Sequence, residues 1–339
     1  MAQAAILEDA YTQGSRQANR PAGGFLEGPI VWERASLGDD DGVFRLDGQC
    51  LQELDELAAL MRANPLPMLL REAGDLPMPA CRQLMAGAKH SLAQGPGFAI
   101  LDRLPVGQYD ADTIAAMFWV LSQLVARPVA QSWDGKMIYD VRDKGMAPGN
   151  GVRPDVTNAE QNFHTDNSYN LYPPDYVALF CLQPAKSGGI SSIVSFYSIH
   201  NEMQRRHPEL LERLYQPYLF DRQREHAPGD APVLSHPLFQ YVDGRLVCRL
   251  SRLQVINGHK LAGVPLDREG EEALECLEAI MKEPRWNKEF FFEAGQVQIL
   301  DNTRCGHRRT GFVDHPEPQR RRHLLRLWLR DAGRRFYNG

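Results

Sequence analysis

From Met137 to Leu329 the chain consists largely of short runs in which apolar and polar residues alternate, and this period of two confines it to a β-rich architecture. The runs include MIYDV (137–141), YVALFCL (176–182), ISSIVSF (190–196), YLF (218–220), EFFF (289–292), VQIL (297–300) and HLLRLWL (323–329). Two more, LFQYV and RLVCRL, flank Asp243-Gly244 and predict a tight antiparallel hairpin, since Asp-Gly accepts the positive φ of such a turn. Helical spacing interrupts the strands at 197–214 and 267–282, too irregularly for a parallel doubly wound sheet. The pattern predicts a mainly β fold, an antiparallel barrel or sandwich, with flanking helices.

Upstream, apolar spacing predicts helices over 51–61, 81–92 and 111–125, with GFAILDRL (97–104) a strand between the second and third. Residues 1–47 lack sustained periodicity; they read as an N-terminal arm without a catalytic role, holding one strand around 30–33. Residues 48–339 then form a single domain, and 43% hydrophobic residues suffice for its core. The Gly-, Pro- and Asn-rich stretch 142–163 is too long for an ordinary connection and reads as a lid or a disordered segment.

A net charge of -5 argues against a nucleic-acid partner. Arginines cluster near the C-terminus, but interleaved apolar residues favour a strand there over a basic tail. The six cysteines are scattered and form no C-x-x-C pair, so reduced structural thiols are expected. No apolar run is long enough to span a membrane, and the N-terminus has no signal-peptide core, which predicts a soluble, cytoplasmic protein. Oligomeric state is left open; a homo-oligomer is compatible with the sequence.

The chemistry concentrates in Phe163-His164-Thr165-Asp166-Asn167. On extended backbone residues two apart point the same way, so His164 and Asp166 are able to share a metal. A surface ion pair is the plainer reading of that motif alone. His307, beyond the strand VQIL, would complete two histidines and a carboxylate, a set that suits iron(II) and leaves positions for a bidentate cosubstrate and oxygen. Catalytic zinc in a hydrolase would accept the same ligands. Arg322 and Arg326 lie four apart on the last strand, on one face; a planar guanidinium is the natural clamp for a carboxylate, and solvated outer-face arginines are the alternative.

These residues together resemble the TauD/TfdA-like family of Fe(II)/2-oxoglutarate dioxygenases. FHTDNSY is similar to the family's H-x-D segment, and Pro173-Pro174 followed by Ser187-Gly188-Gly189-Ile190-Ser191 to its GG-x-T/S turn. LDNTRCGHRRTGF resembles the distal-histidine segment and RRRHLLRLWL the terminal strand, so that ordered motifs span about 95–330. The resemblance implies a double-stranded β-helix of the jelly-roll or cupin-like kind, with iron(II) held by His164, Asp166 and His307, and 2-oxoglutarate and oxygen as cosubstrates. It implies that Arg322 and the Ser191 hydroxyl hold the distal carboxylate of 2-oxoglutarate, and it demotes His90, His315 and His323 as ligands.

Arg326 falls where the taurine enzymes bind the substrate's sulfonate, which points to a small carboxylate or sulfonate as substrate. Asn167, Arg127 and Arg153 are further candidates for binding it. The segment Arg127-Pro128-Val129-Ala130 aligns with the taurine enzymes' His-Pro-Val-Tyr, so taurine itself is a poor fit. Because Asp166 keeps the metal carboxylate that halogenating relatives lack, hydroxylation is expected, alone or followed by fragmentation, with release of succinate and CO2. The rival readings are a non-catalytic small-molecule sensor on the same fold and the zinc hydrolase.

Overall fold

A computed structural model describes residues 23–146 and 154–337. Two sheets carry the architecture. The larger has seven strands; in hydrogen-bonded order it runs Val43–Arg45, Phe98–Asp102, Val297–Asp301, Tyr176–Gln183, His323–Arg330 and Arg127–Val129, with Tyr139–Val141 also paired to His323–Arg330. The smaller has four, Lys288–Phe290, Ser191–Ser195, Cys305–Arg309 and Gln161–His164. All pairings are antiparallel except Val43–Arg45 with Phe98–Asp102. No strand pairing joins the two sheets among the described residues, so of the two antiparallel arrangements expected the closed barrel is excluded.

The three N-terminal helices form as their spacing predicts, Gly48–Ala63, Pro79–Gln94 and Ala111–Gln123. Asp47 and Asp110 cap two of them by accepting from the backbone N–H three residues on. Their apolar faces pack on one side of the larger sheet, where Leu325, Leu327 and Leu329 meet Met117, Leu121 and Phe180 in a single core. That leaves Leu324, Arg326 and Trp328 to the other face, which becomes the site.

Three local readings change. Residues 30–33 form no strand; Ile30 and Trp32 are buried in the core, the Trp32 indole donating to the Pro96 carbonyl, and the strand of this segment is Val43–Arg45. The helix expected over 197–214 is two helices, Phe196–Arg206 and Pro208–Leu214, because a proline disfavours α geometry at the residue before it, and His207 takes φ -141°. An unanticipated helix, Arg252–Ala262, is capped by Ser251 and ends at Gly263 in the left-handed region. Its Gly258 is where the helix crosses the strand Pro217–Asp221; a Cβ there would lie 2.2 Å from the Leu219 carbonyl oxygen. The expected hairpin forms between Phe239–Val242 and Arg245–Cys248. Residues 147–153 of the stretch expected to act as a lid lie outside the described residues.

Candidate metal centre

The strands Gln161–His164 and Cys305–Arg309 are paired so that His164 and His307 stand directly opposite one another, ring centroids 4.2 Å apart. Asp166, two residues beyond the first strand, turns back toward both rings: its Oδ1 lies 3.3 Å from His164 Nε2 and 3.6 Å from His307 Nε2. One ligand atom from each of the three residues falls within 4.8 Å of the others. The Asp166 backbone is fixed by Asn302, whose side chain accepts from the Asp166 N–H at 2.8 Å and donates to its carbonyl at 3.0 Å.

His164 Nε2, which also accepts from the Gln161 amide at 2.8 Å, and Asp166 Oδ1 face each other across the cluster. His164 Nδ1 lies 2.9 Å from the Asn162 carbonyl oxygen, a contact that only N–H makes favourable, so the lone pair is at Nε2. The indole of Trp328 donates to Asp166 Oδ2 at 2.7 Å and Arg326 Nη1 approaches the same oxygen at 3.1 Å, leaving Oδ1 toward the histidines. Burial works against the Asp166 charge, but Arg326 and the two histidines outweigh it and hold the carboxyl well below the ordinary carboxylate range. Burial, aided by His164, pushes His307 down to about 3, so its ring is neutral and able to donate a lone pair. These donors fit a divalent metal, and two imidazoles with one carboxylate suit iron(II).

Two cavities meet at His164, Asp166 and Arg326, and His307 lines the inner one. The inner one, about 40 Å³, is lined by Ser191, Arg309 and Arg322 beyond His164, Asp166 and His307, with Val141, Leu179 and Phe292 as apolar walls. Burial pulls Arg322 down to about 9, with Arg309 adding to the effect, and Arg322 has no carboxylate in ion-pair range among the described residues. Burial likewise lowers Arg309 to about 10. Ser191 stands opposite Arg309 in the sheet, and its hydroxyl donates to Gln298 Oε1 at 3.0 Å. Gly188 and Gly189 hold the turn before Ser191 at positive φ, and a Cβ on Gly188 would lie 2.3 Å from the Gly311 carbonyl oxygen.

The outer cavity, about 250 Å³, is walled by Asp155, Asn167, Tyr169, Arg326 and the start of the helix Arg252–Ala262. Arg326 has less freedom here than its sequence position suggested. Besides Asp166 it faces Asp155 Oδ2 at 3.3 Å and donates to Gln131 Oε1 at 2.8 Å, so it is a buried guanidinium with counterions of its own. Arg127 does not join the site: it pairs with Arg330 at the far end of the strand, donates to the Gly333 carbonyl, and lines a separate surface cavity with Glu72, Arg82 and Arg335. Arg153 lies outside the described residues. Arg309, Asn302, Trp328 and Asp155 are contributors that the motifs alone left unmarked; for Arg309 a signal existed, its place two residues beyond His307 on one strand face.

The family model for taurine catabolism dioxygenase TauD, TfdA family, matches residues 63–328, well over half of the chain. FR-33289 synthase of Streptomyces rubellomurinus is 29% identical over 318 residues, covering 92% of each chain. The solved non-heme iron oxygenase OrfP with Fe and alpha-ketoglutaric acid superposes with a TM-score of 0.62 at 18% identity, over 86% of this chain and 94% of that one. Asparagine oxygenase in complex with Fe(II), 2S,3S-3-hydroxyasparagine and succinate gives a TM-score of 0.62 at 17% identity, over 86% and 94%. The architecture is therefore the double-stranded β-helix expected from the motifs, and its cofactor and cosubstrate are iron(II) and 2-oxoglutarate. The chain belongs to the TauD/TfdA family and is a 2-oxoglutarate-dependent oxygenase that hydroxylates a small substrate.

Proposed function

We propose that His164, Asp166 and His307 hold the iron, that Arg322 and Ser191 hold the distal carboxylate of 2-oxoglutarate in the inner cavity, and that the outer cavity receives the substrate. The observation that carries this reading is the meeting of the two cavities at His164 and Asp166, the inner one lined also by His307 and Arg322 and the outer one walled by Asn167. When bound, iron(II) with 2-oxoglutarate and oxygen supplies the power to replace an unreactive C–H with C–OH as 2-oxoglutarate becomes succinate and CO2. The chain's own residues do the positioning. Trp328 and Arg326 restrain Asp166 Oδ2, which would leave Oδ1 to meet a metal. Arg322, whose burial disfavours its own charge, is stabilised by a bound carboxylate, and Val141, Leu179 and Phe292 exclude water around it.

The substrate is a small polar molecule. The motifs put Arg326 where the taurine enzymes bind an anionic group, but here Asp155 and Asp166 already pair with its guanidinium. Solved relatives bind hydroxyasparagine and hydroxyarginine, which supports a substrate of amino-acid size and polarity.

Arg322→Ala should raise the KM for 2-oxoglutarate by about tenfold to a hundredfold, the worth of a lost charge-assisted hydrogen bond. Succinate formation under oxygen measures it. An unchanged KM would remove Arg322 from the cosubstrate site.

A further inference from the structure

A second surface cavity, of about 640 Å³, lies at the start of the strand His323–Arg330. Its basic wall is formed by Arg142, Lys144, Arg321, Arg322 and His323, and Asp143 is the only carboxylate among the residues that line it. Asp143 is turned to its own loop, where Oδ1 accepts from the Gly145 N–H at 2.8 Å, and His323 Nε2 lies 2.8 Å from Asp140 Oδ1. Arg142, Lys144 and Arg321 are exposed, and no carboxylate of the described residues is in ion-pair range of them. In a chain whose net charge is -5, this is a local excess of uncompensated positive charge.

The same two strand ends line this cationic cavity and the inner one. Val141 and Arg322 line the inner cavity; Arg142, which follows Val141, lines the cationic one together with Arg321, Arg322 and His323. Val141 stands opposite Leu324 in the sheet, so the segment carrying Arg142 and Lys144 continues beside residues 321–323. Arg322 therefore belongs to both walls. The outer cavity presents a dianion with the opposite field. Asp155, Glu160 and Asp166 line it against Arg252 and Arg326, and both of these guanidiniums are already paired, Arg326 with Asp155 and Asp166 and Arg252 with Glu275 and Glu278. Coulomb attraction draws a doubly charged anion to the cationic cavity, and concave protein walls focus that field.

We infer that the cationic cavity is a capture site for dicarboxylates, from which 2-oxoglutarate reaches Arg322 without passing through the outer cavity. Arg142, Lys144 and Arg321 act there as charges that raise the local concentration of the dianion, while Arg322 remains the residue that holds it. The inference rests on the assignment of Arg322 to the cosubstrate.

Anaerobic stopped-flow mixing of iron(II)-loaded protein with 2-oxoglutarate tests it. The readout is the visible band of the complex, and its second-order rate is taken from the dependence on 2-oxoglutarate concentration. Arg142→Gln, Lys144→Gln and Arg321→Gln combined should lower that rate by about fivefold to tenfold at an ionic strength of about 0.02 M. The difference should shrink to within about twofold at about 0.5 M salt, where charges are screened within about 4 Å. Band intensity at saturating 2-oxoglutarate should match the wild type, because Arg322 and the metal ligands are untouched. Arg142→Lys with Arg321→Lys preserves the charges and should preserve the rate. A control with Arg34→Gln, Lys260→Gln and Arg268→Gln alters net charge equally at exposed residues that line none of the three cavities, and should shift the rate by less than about twofold.

A triple variant as fast as the wild type at low salt, a control variant slowed as much as the triple variant, or a slowing that high salt leaves undiminished would overturn the capture site alone. No band in the wild type would overturn the cosubstrate assignment and the capture site with it.

Discussion

At the scale of single residues, the site depends on which oxygen of Asp166 is free. Trp328 and Arg326 take Oδ2 and both histidines face Oδ1, so the protein's own contacts set the geometry of the proposed ligands. Trp328→Phe keeps the ring packing and removes the indole N–H; it should weaken iron(II) affinity by about tenfold to a hundredfold, as loss of an outer partner of a metal ligand does. Anaerobic iron titration measures this, and unchanged affinity would make the contact dispensable. His164, Asp166 and His307 were singled out by the ordered family motifs, since two residues two apart on extended backbone and a histidine past a patterned strand leave a surface ion pair equally open. Asp155 and Trp328 were not legible as partners of Arg326 and Asp166. They reach the site from other segments, and no local period encodes a contact between separate segments.

At the scale of elements, strands with a strict period of two were readable almost to the residue, since a slip of one would turn every core side chain to the wrong face. The helix Arg252–Ala262 was not, because its apolar residues form no continuous stripe and a glycine sits in its middle. That glycine is needed where the helix presses on the strand Pro217–Asp221. Gly258→Ala should therefore destabilise the protein by about 1–3 kcal/mol despite alanine's better helix propensity, the usual range for overpacking a tight contact. The urea midpoint reports the change, and a stabilised variant would contradict the crossing. Because residues 251–254 wall the outer cavity, the same substitution should raise the KM for substrate more than that for 2-oxoglutarate.

At the scale of the whole molecule, an antiparallel fold with flanking helices was foreseeable from patterning alone, whereas the grouping of His164, Asp166 and His307 was carried by the family motifs. The packed interior also predicts a pH response. Burial lowers His200 to about 4 and His236 to about 3, below an unfolded value of about 6.5. Below about pH 6.5 the unfolded chain takes up protons that the native chain refuses, so stability falls as pH drops from about 6.5 toward 4; above 6.5 these groups contribute no slope. Urea midpoints at about pH 7.5 and about pH 5 should differ in that sense, and His236→Gln should flatten the difference. Equal midpoints would mean that these histidines ionise in the folded protein.

The central claim is that His164, Asp166 and His307 hold iron(II) beside a bound 2-oxoglutarate. Its most direct test is anaerobic addition of iron(II) and 2-oxoglutarate to metal-free protein, watching for the weak visible charge-transfer band of an iron-bound keto acid, with His164→Ala and His307→Ala alongside. A band in the wild type that is absent from both variants is the predicted result; no band in the wild type, or a full band in either variant, would contradict the account.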